Sequence, residues 1–395
     1  KGDNFVGNLI AYEVKVKDVE RNDERVLHWM CKTMRNEMTN ELMEKFQLFE
    51  REEGFYNSFQ RDLEKYVGHN LLRTVPLIYS QNEPGKELLI FEHMGHQGYR
   101  DPLNKKEGLS SEAIFAALRW LAELHGAGHL LLRKYPGGFE EWKKNNFYVE
   151  SIPVDAMGDI NQEMATNAFL ILEDMKNGSE NDALVDDFYP KLKGFYDNLP
   201  AGVESMGEML KKCLYDPRME FKTLTHGDPW FNNLMVKYGS GNSVEDLIFL
   251  DMQVISSGNI GEYWWDSSPY EDLSPNFDKY LKHYVNCLSE FVMNADPEII
   301  HPPLSFDDVK NDFLSSALVG FHFALNSFPH VLVDKEDVLD TSNIDWSKPE
   351  ELRRFNEMVR ANSKRIMNSK PPLYDRLIGA IKFMLEIKAF DHIKH

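Results

Sequence analysis

Cysteine is scarce in this chain: Cys31, Cys213 and Cys287 are the only three among 395 residues. They are too few and too far apart for a disulfide framework or a cysteine metal site, which is the usage expected of a reducing cytosol. Positive charge is also short. With 44 basic against 64 acidic residues the net charge is −20, so a phosphate-rich polymer or an anionic membrane surface is repelled overall. That argues against nucleic acid and membrane partners. Long apolar runs are missing as well. Segments such as 88–91 and 130–132 are far too short to span a bilayer, and the chain opens without a signal-peptide pattern. No repeat or low-complexity tract interrupts it, and the sequon Asn177-Gly178-Ser179 reads as a turn. What is present, 42% hydrophobic and 12% aromatic residues, is enough for a large core or two lobes. The expectation is a soluble, cytoplasmic globular enzyme.

Its most specific feature is His226-Gly227-Asp228-Pro229-Trp230-Phe231-Asn232-Asn233, followed after two apolar strands by Leu250-Asp251-Met252-Gln253. A histidine-glycine-aspartate is by itself a common turn, and an aspartate at a strand end is usually a cap. The ordered pair is more telling. Transfer of a γ-phosphoryl group needs little covalent help, but it needs a carboxylate beside the acceptor hydroxyl and oxygen ligands for Mg²⁺. Asp228 is the candidate for the first task, Asn233 and Asp251 for the second. Gly227 lets the backbone bend sharply, and residues 234–236 anchor the loop as a strand.

Upstream, a glycine-containing turn over residues 1–8 includes Asn4 and Phe5 and is suited to placing backbone N–H groups near phosphates. Asn8-Leu9 stands where a P-loop requires Lys-Ser/Thr, so that motif is excluded. The apolar segment 26–33 carries Lys32, which would reach the α- and β-phosphates. A helical stretch over 37–59 carries Glu52, placed to pair with that lysine. A lysine snorkelling from a strand, and a glutamate on a solvated face with Glu50, Arg51 and Glu53, are the ordinary alternatives.

These residues resemble the ecdysteroid kinase-like family, within the choline-kinase and aminoglycoside-phosphotransferase group. The likeness runs through the opening turn, the Lys32 strand, Glu50-Arg51-Glu52 to Phe55-Tyr56, Ile90-Phe91-Glu92-His93-Met94, Leu121-Ala122-Glu123-Leu124-His125, the loop at 226–233 and Asp251-Met252-Gln253. Trp230 with Asn232-Asn233 favours the ecdysteroid kinase-like branch. The resemblance implies an α+β, protein-kinase-like two-lobed fold. A β-rich N-lobe would occupy residues 1–92 and a larger, mainly helical C-lobe residues 93–395. It also selects Glu52 over Glu53, makes 90–94 a hinge where Glu92 and Met94 receive adenine, and gives His125 and His226 structural roles. The nucleotide would be ATP with Mg²⁺, and the acceptor an ecdysteroid or similar apolar small-molecule alcohol. Family members usually carry residues ahead of the glycine turn, so a preceding segment is expected.

Three points stay open at this level. Residues 169–175 also read like a hinge phrase, although two short strands precede 90–94 and a helix ending at His125 follows it. The family's Asp-Leu pair after the metal aspartate is replaced by Gly261-Glu262-Tyr263-Trp264-Trp265-Asp266. Those aromatics and carboxylates are what a cationic alcohol such as choline prefers, or they form a core pair beside a helix cap. Choline, ethanolamine or aminoglycoside acceptors are therefore the alternative, and a catalytically silent nucleotide-binding pseudokinase is the alternative of another class. A protein kinase is disfavoured, since no Ala-Pro-Glu closes an activation segment after Asp251.

Strands are expected at 9–16, 26–33, 72–79 and 87–91, the last two as a hairpin about Asn82-Glu83-Pro84-Gly85. A helix from Ser110 is expected to loosen at Gly126 and Gly128. The segment 139–220 reads as irregular helices with an insertion. Helices are expected at 277–291 and 306–323, with Phe321, Phe323, Phe328 and Trp346 as core.

Overall fold

The computed structural model describes residues 7–18, 23–34, 46–68, 72–103, 106–146, 148, 154–177, 183–199, 203–214, 221, 223–258, 260, 267–332, 348–369 and 371–392. Asn4, Phe5, the aromatic run 261–266 and Trp346 lie outside the described residues.

The chain begins with two long antiparallel strands, β1 (Gly7–Asp18) and β2 (Asp23–Met34). Their register faces Ile10 with Cys31, Tyr12 with Trp29 and Val14 with Leu27, the apolar cross-strand pairs that stabilise a sheet. Both strands are longer than hydrophobic alternation predicts, because hairpin pairing carries them into polar ends. Next comes helix α1 (Leu48–Gly54), which continues through a π-helical turn, Phe55–Phe59, into α2 (Gln60–Val67). Strands β3 (Leu77–Gln81) and β4 (Leu88–Glu92) form the hairpin and complete a sheet in the order β1-β2-β4-β3. Residues 72–76, expected as strand, are not: Pro76 removes a donor at the point where β3 would begin. Leu89 and Phe91 turn towards the helix, with the Phe91 ring edge-on to Tyr56 at 5.0 Å.

After β4 the chain makes a 3-10 turn, Met94–Gln97, and enters β5 (Tyr99–Arg100). It then becomes mainly helical. Helix α3 (Ser111–Lys134) is capped by the Ser110 hydroxyl, which accepts from the Ala113 N–H. It runs through Gly126 and Gly128 without loosening. These glycines serve close packing: a β-carbon on Gly126 would lie 2.6 Å from the Phe291 ring, and one on Gly128 would lie 2.7 Å from the backbone nitrogen of Leu224. Among the described residues, four helices occupy the segment that reads as irregular in sequence: α4 (Gly138–Asn145), α5 (Val154–Lys176), α6 (Ala183–Asp197) and α7 (Met206–Leu214). The second hinge-like phrase, 169–175, sits inside α5.

Short strands then build the centre of the molecule. β6 (Leu224–Thr225) pairs with β9 (Ser256–Ser257), and β7 (Leu234–Tyr238) pairs with both β5 and β8 (Val244–Phe249). Helices α8 (Tyr270–Ala295), α9 (Phe306–Val331), α10 (Pro349–Ser369) and α11 (Pro371–Glu386) complete the body. Helix α9 starts from a reciprocal capping box between Ser305 and Asp308, and this fixes its first turn. Phe321 and Phe328 are buried and Phe323 packs against the same core. Asp272 in α8 accepts hydrogen bonds from Ser111 and Tyr280 and so ties α8 to the start of α3. No described helix is long and apolar enough to cross a membrane.

Candidate active site

Between the first sheet and the helical body lies a cavity of about 310 Å³. Leu9, Met30, Val75, Phe91, Met235 and Leu250 supply its apolar walls, residues 92–95 one edge, and Lys32, Glu52, Asn233 and Asp251 its polar end.

Lys32 projects from β2 opposite Leu89 and is buried. Its ammonium donates to Glu52 Oε2 at 2.5 Å and to Asp251 Oδ1 at 2.5 Å. Glu52 comes from α1 and is also buried. Neighbouring Glu53 faces the other way and accepts from the Ser80 hydroxyl at 2.9 Å. Burial opposes the charge on Lys32, but the two carboxylates outweigh it and hold the ammonium pKa above its ordinary value. For Glu52 burial dominates: despite the lysine and a bond from the Met252 N–H, its carboxyl is pushed up to about 7. Asp251 contributes to that rise, since two carboxylates share one ammonium, and a further cation beside them would favour ionisation of both.

Asp251 ends the β8 segment with a left-handed backbone, φ 63° and ψ 62°. Such a conformation costs of order 1–3 kcal/mol for a residue with a β-carbon, and its occurrence at a site of chemistry is typical. Two contacts hold it there. The Leu250 N–H donates to Asn233 O at 2.8 Å, and His226 Nε2 lies 2.9 Å from Leu250 O. The other nitrogen of His226, Nδ1, accepts from the Asp228 N–H at 3.2 Å, which makes Nε2 the protonated nitrogen and the donor. His226 thus props the loop of Asp228 and the approach to Asp251 at once. Gly227 has φ +82°, and a β-carbon there would lie 2.5 Å from Val254 O, so only glycine lets the two loops pass this closely.

Asp228 joins the site through Asn233, whose amide nitrogen donates to Asp228 Oδ2 at 2.7 Å and to Asp228 O at 3.1 Å. With its nitrogen turned to Asp228, Asn233 has its amide oxygen as the end suited to a hard cation. Asn233 and the Asp251 carboxylate are therefore oxygen donors of the kind Mg²⁺ takes. Among the described residues no group of three or more His, Cys, Asp or Glu forms a separate metal site.

At the edge of the cavity formed by residues 92–95, the Glu92 N–H donates to Pro76 O and the His93 N–H to His28 O, both at 3.0 Å. The Glu92 carboxylate accepts from Gln97 at 2.6 Å. Met94 opens the 3-10 turn, where an N–H has no partner within the turn. His125, buried in α3, lies with Nδ1 2.6 Å from the Tyr284 hydroxyl, while its carbonyl accepts from Thr223. Its ring therefore meets a side chain of α8, and its carbonyl meets the Thr223 hydroxyl just ahead of β6. Sequence reading missed Arg51. Among Glu50, Glu52 and Glu53 it looks solvated, yet it is 1% exposed, and no local signal marks it.

An antiparallel sheet with a buried strand lysine, a helix glutamate beneath it and a mainly helical body define a kinase-like, two-lobed small-molecule phosphotransferase. The ecdysteroid kinase-like family matches residues 1–295, and the chain belongs to that family. No curated protein matches it. Among solved structures, a microcompartment-associated aminopropanol kinase aligns over 93% of this chain and 94% of its own, at 10% identity and a TM-score of 0.36.

Proposed function

We propose that this chain transfers the γ-phosphoryl group of ATP, with Mg²⁺, to a hydroxyl of a small apolar alcohol, with an ecdysteroid as the leading acceptor. The observation that carries this reading is the bonding of one buried lysine to both Glu52 and Asp251 at the polar end of a cavity that reaches the hinge at its other edge. Adenine would lie between Met30, Val75 and Phe91 on one side and Met235 and Leu250 on the other, addressed by the Glu92 carbonyl and the Met94 N–H. Asn4 and Phe5 are proposed to approach the phosphates by their backbone. Lys32 would hold the α- and β-phosphates and Glu52 would keep Lys32 oriented. Magnesium, held by Asn233 and Asp251, would supply charge neutralisation at the bridging oxygens.

Asp228 is the proposed base. Its carboxylate takes the hydroxyl proton as the acceptor oxygen bonds to the γ-phosphorus, the bond from that phosphorus to the β–γ bridging oxygen breaks, and ADP leaves with the bond's electrons. The Asn233 amide keeps the carboxylate aimed. The family's description favours an ecdysteroid acceptor. Three free thiols suit a reducing cytosol as the compartment.

The test is to incubate the purified chain with labelled ATP, Mg²⁺ and separate ecdysteroid, choline and aminoglycoside acceptors. Label should pass to the ecdysteroid. In Asp228→Asn, turnover should fall on the order of 10²-fold or more while ATP binding stays nearly intact. Transfer to choline alone would move the acceptor to the cationic class. ATP binding with no transfer to any acceptor would favour a catalytically silent protein, and near-normal turnover in Asp228→Asn would remove Asp228 as the base.

A further inference from the structure

Beside Glu52 on helix α1, the Arg51 side chain points away from the cavity and is almost wholly enclosed, at 1% exposure. Its Nε donates to Phe46 O at 3.0 Å, and its Nη1 donates to Tyr148 O at 3.2 Å and to Ile255 O at 3.1 Å. These three carbonyls come from the approach to α1, from the segment between α4 and α5, and from the loop that follows Asp251. A guanidinium cannot shed its proton, so its burial is tolerated only where its fixed fork of N–H groups meets acceptors.

We infer that Arg51 is a positioning residue that fastens the Glu52 helix to the Asp251 loop, so that both carboxylates on Lys32 are held as one rigid unit. Adjacent residues grip the two ends of one short turn: Glu52 accepts the Met252 N–H at its start, and Arg51 binds the Ile255 carbonyl at its end. Asp251 stands immediately before that turn in its left-handed conformation. A turn clamped at both ends cannot relax Asp251 into an ordinary backbone region without breaking one of the clamps. The Tyr148 bond adds an anchor in the helical body, so the helix cannot swing outward and separate Glu52 from Lys32. Lysine at this position could not reproduce the arrangement, since a single ammonium does not present the planar fork that reaches Tyr148 and Ile255 from one side and Phe46 from the other.

The inference rests on the proposed reading of Lys32, Glu52 and Asp251 as phosphate and metal groups. The test therefore includes a measurement that does not depend on turnover. Arg51→Met keeps most of the stem's volume and removes every donor, whereas Arg51→Lys keeps the charge and some donors. In the full chain, Arg51→Met should speed amide hydrogen exchange of residues 252–255 by about tenfold or more, the equilibrium equivalent of one lost charge-assisted hydrogen bond. Its kcat should fall on the order of 10²-fold, as expected for displaced groups, with a much smaller change in KM for ATP. Arg51→Lys should lie between Arg51→Met and the unaltered chain in both measurements. If Arg51→Met does not fold, Arg51→Lys is read alone, with faster exchange at 252–255 expected. Unchanged exchange at 252–255 in the folded variants would overturn the inference, and so would a loss confined to KM. If the unaltered chain transfers phosphate to no acceptor, the proposed function fails while the exchange measurement still decides whether Arg51 is the clamp.

Discussion

Asp251 is the residue on which the site's geometry converges. It shares Lys32 with Glu52, it adopts a left-handed backbone, and it is braced through Leu250 by both Asn233 and His226. Its proposed task as a ligand predicts a specific loss. In Asp251→Ala, calorimetric ATP affinity measured with Mg²⁺ should drop to the affinity measured without it, a change of about tenfold or more. Lys32 keeps its pair with Glu52 in that variant, so metal-independent ATP binding should survive. An unaltered Mg²⁺ dependence would remove Asp251 from the ligand set. Asp228, Asn233 and Asp251 are legible as a group in sequence because Asp228 and Asn233 share one short loop and Asp251 ends the next strand pair. Their spacing is set by local backbone geometry.

At the scale of elements, burial converts ordinary helices into a polar scaffold. In α9, His322 is fully enclosed; its Nδ1 lies 2.7 Å from Leu318 O and its Nε2 lies 2.5 Å from the Tyr196 hydroxyl on α6. Burial lowers its pKa from 6.5 to about 4, only partly offset by the Leu318 carbonyl. The unfolded chain therefore binds a proton at this histidine below about pH 6.5, whereas the folded chain does not until about pH 4. Linkage then makes stability full above pH 6.5 and progressively lost as pH falls towards 4, by at most about 3 kcal/mol from this group. Denaturant unfolding at pH 5 and pH 7 should show the loss. In His322→Gln the acid slope should be shallower, although stability at pH 7 is lower because the packing with Tyr196 is disturbed. An identical slope in the variant would assign the acid loss to other groups. The Leu318 carbonyl is a local helix neighbour, but the Tyr196 partner is not visible in sequence, since it lies more than a hundred positions away.

For the molecule as a whole, the relation between the first sheet and the helical body is fixed by bonds that reach across it. Trp120, wholly buried in α3, donates from Nε1 to the backbone carbonyl of Arg73 at 2.8 Å, just ahead of β3. The Arg73 side chain pairs with Asp246 of β8, which also accepts from the Tyr99 hydroxyl at 2.5 Å. Trp120→Phe keeps an aromatic ring but strands the Arg73 carbonyl and leaves a gap. It should cost about 2 kcal/mol or more in denaturant unfolding. A loss within experimental error would show that this bond does not couple the sheet to the body.

Sequence alone determined the order of the chemical groups, and its resemblance to the family implied the two-lobed kinase-like class. That order follows from short-range pattern: alternating strands, a glycine at a tight turn, a carboxylate at a strand end. The family resemblance selected Glu52 as the partner of Lys32, and only tertiary structure supplied the physical reason, because Glu52 and Glu53 are equivalent locally and differ in facing β2 or Ser80 of β3. Tertiary structure also buried Arg51, gave Gly126 and Gly128 to packing instead of loosening, and enclosed the phrase 169–175 within a helix. These outcomes depend on surfaces brought together from distant parts of the chain. A single side chain's neighbours across such a surface leave no periodic trace in its own segment.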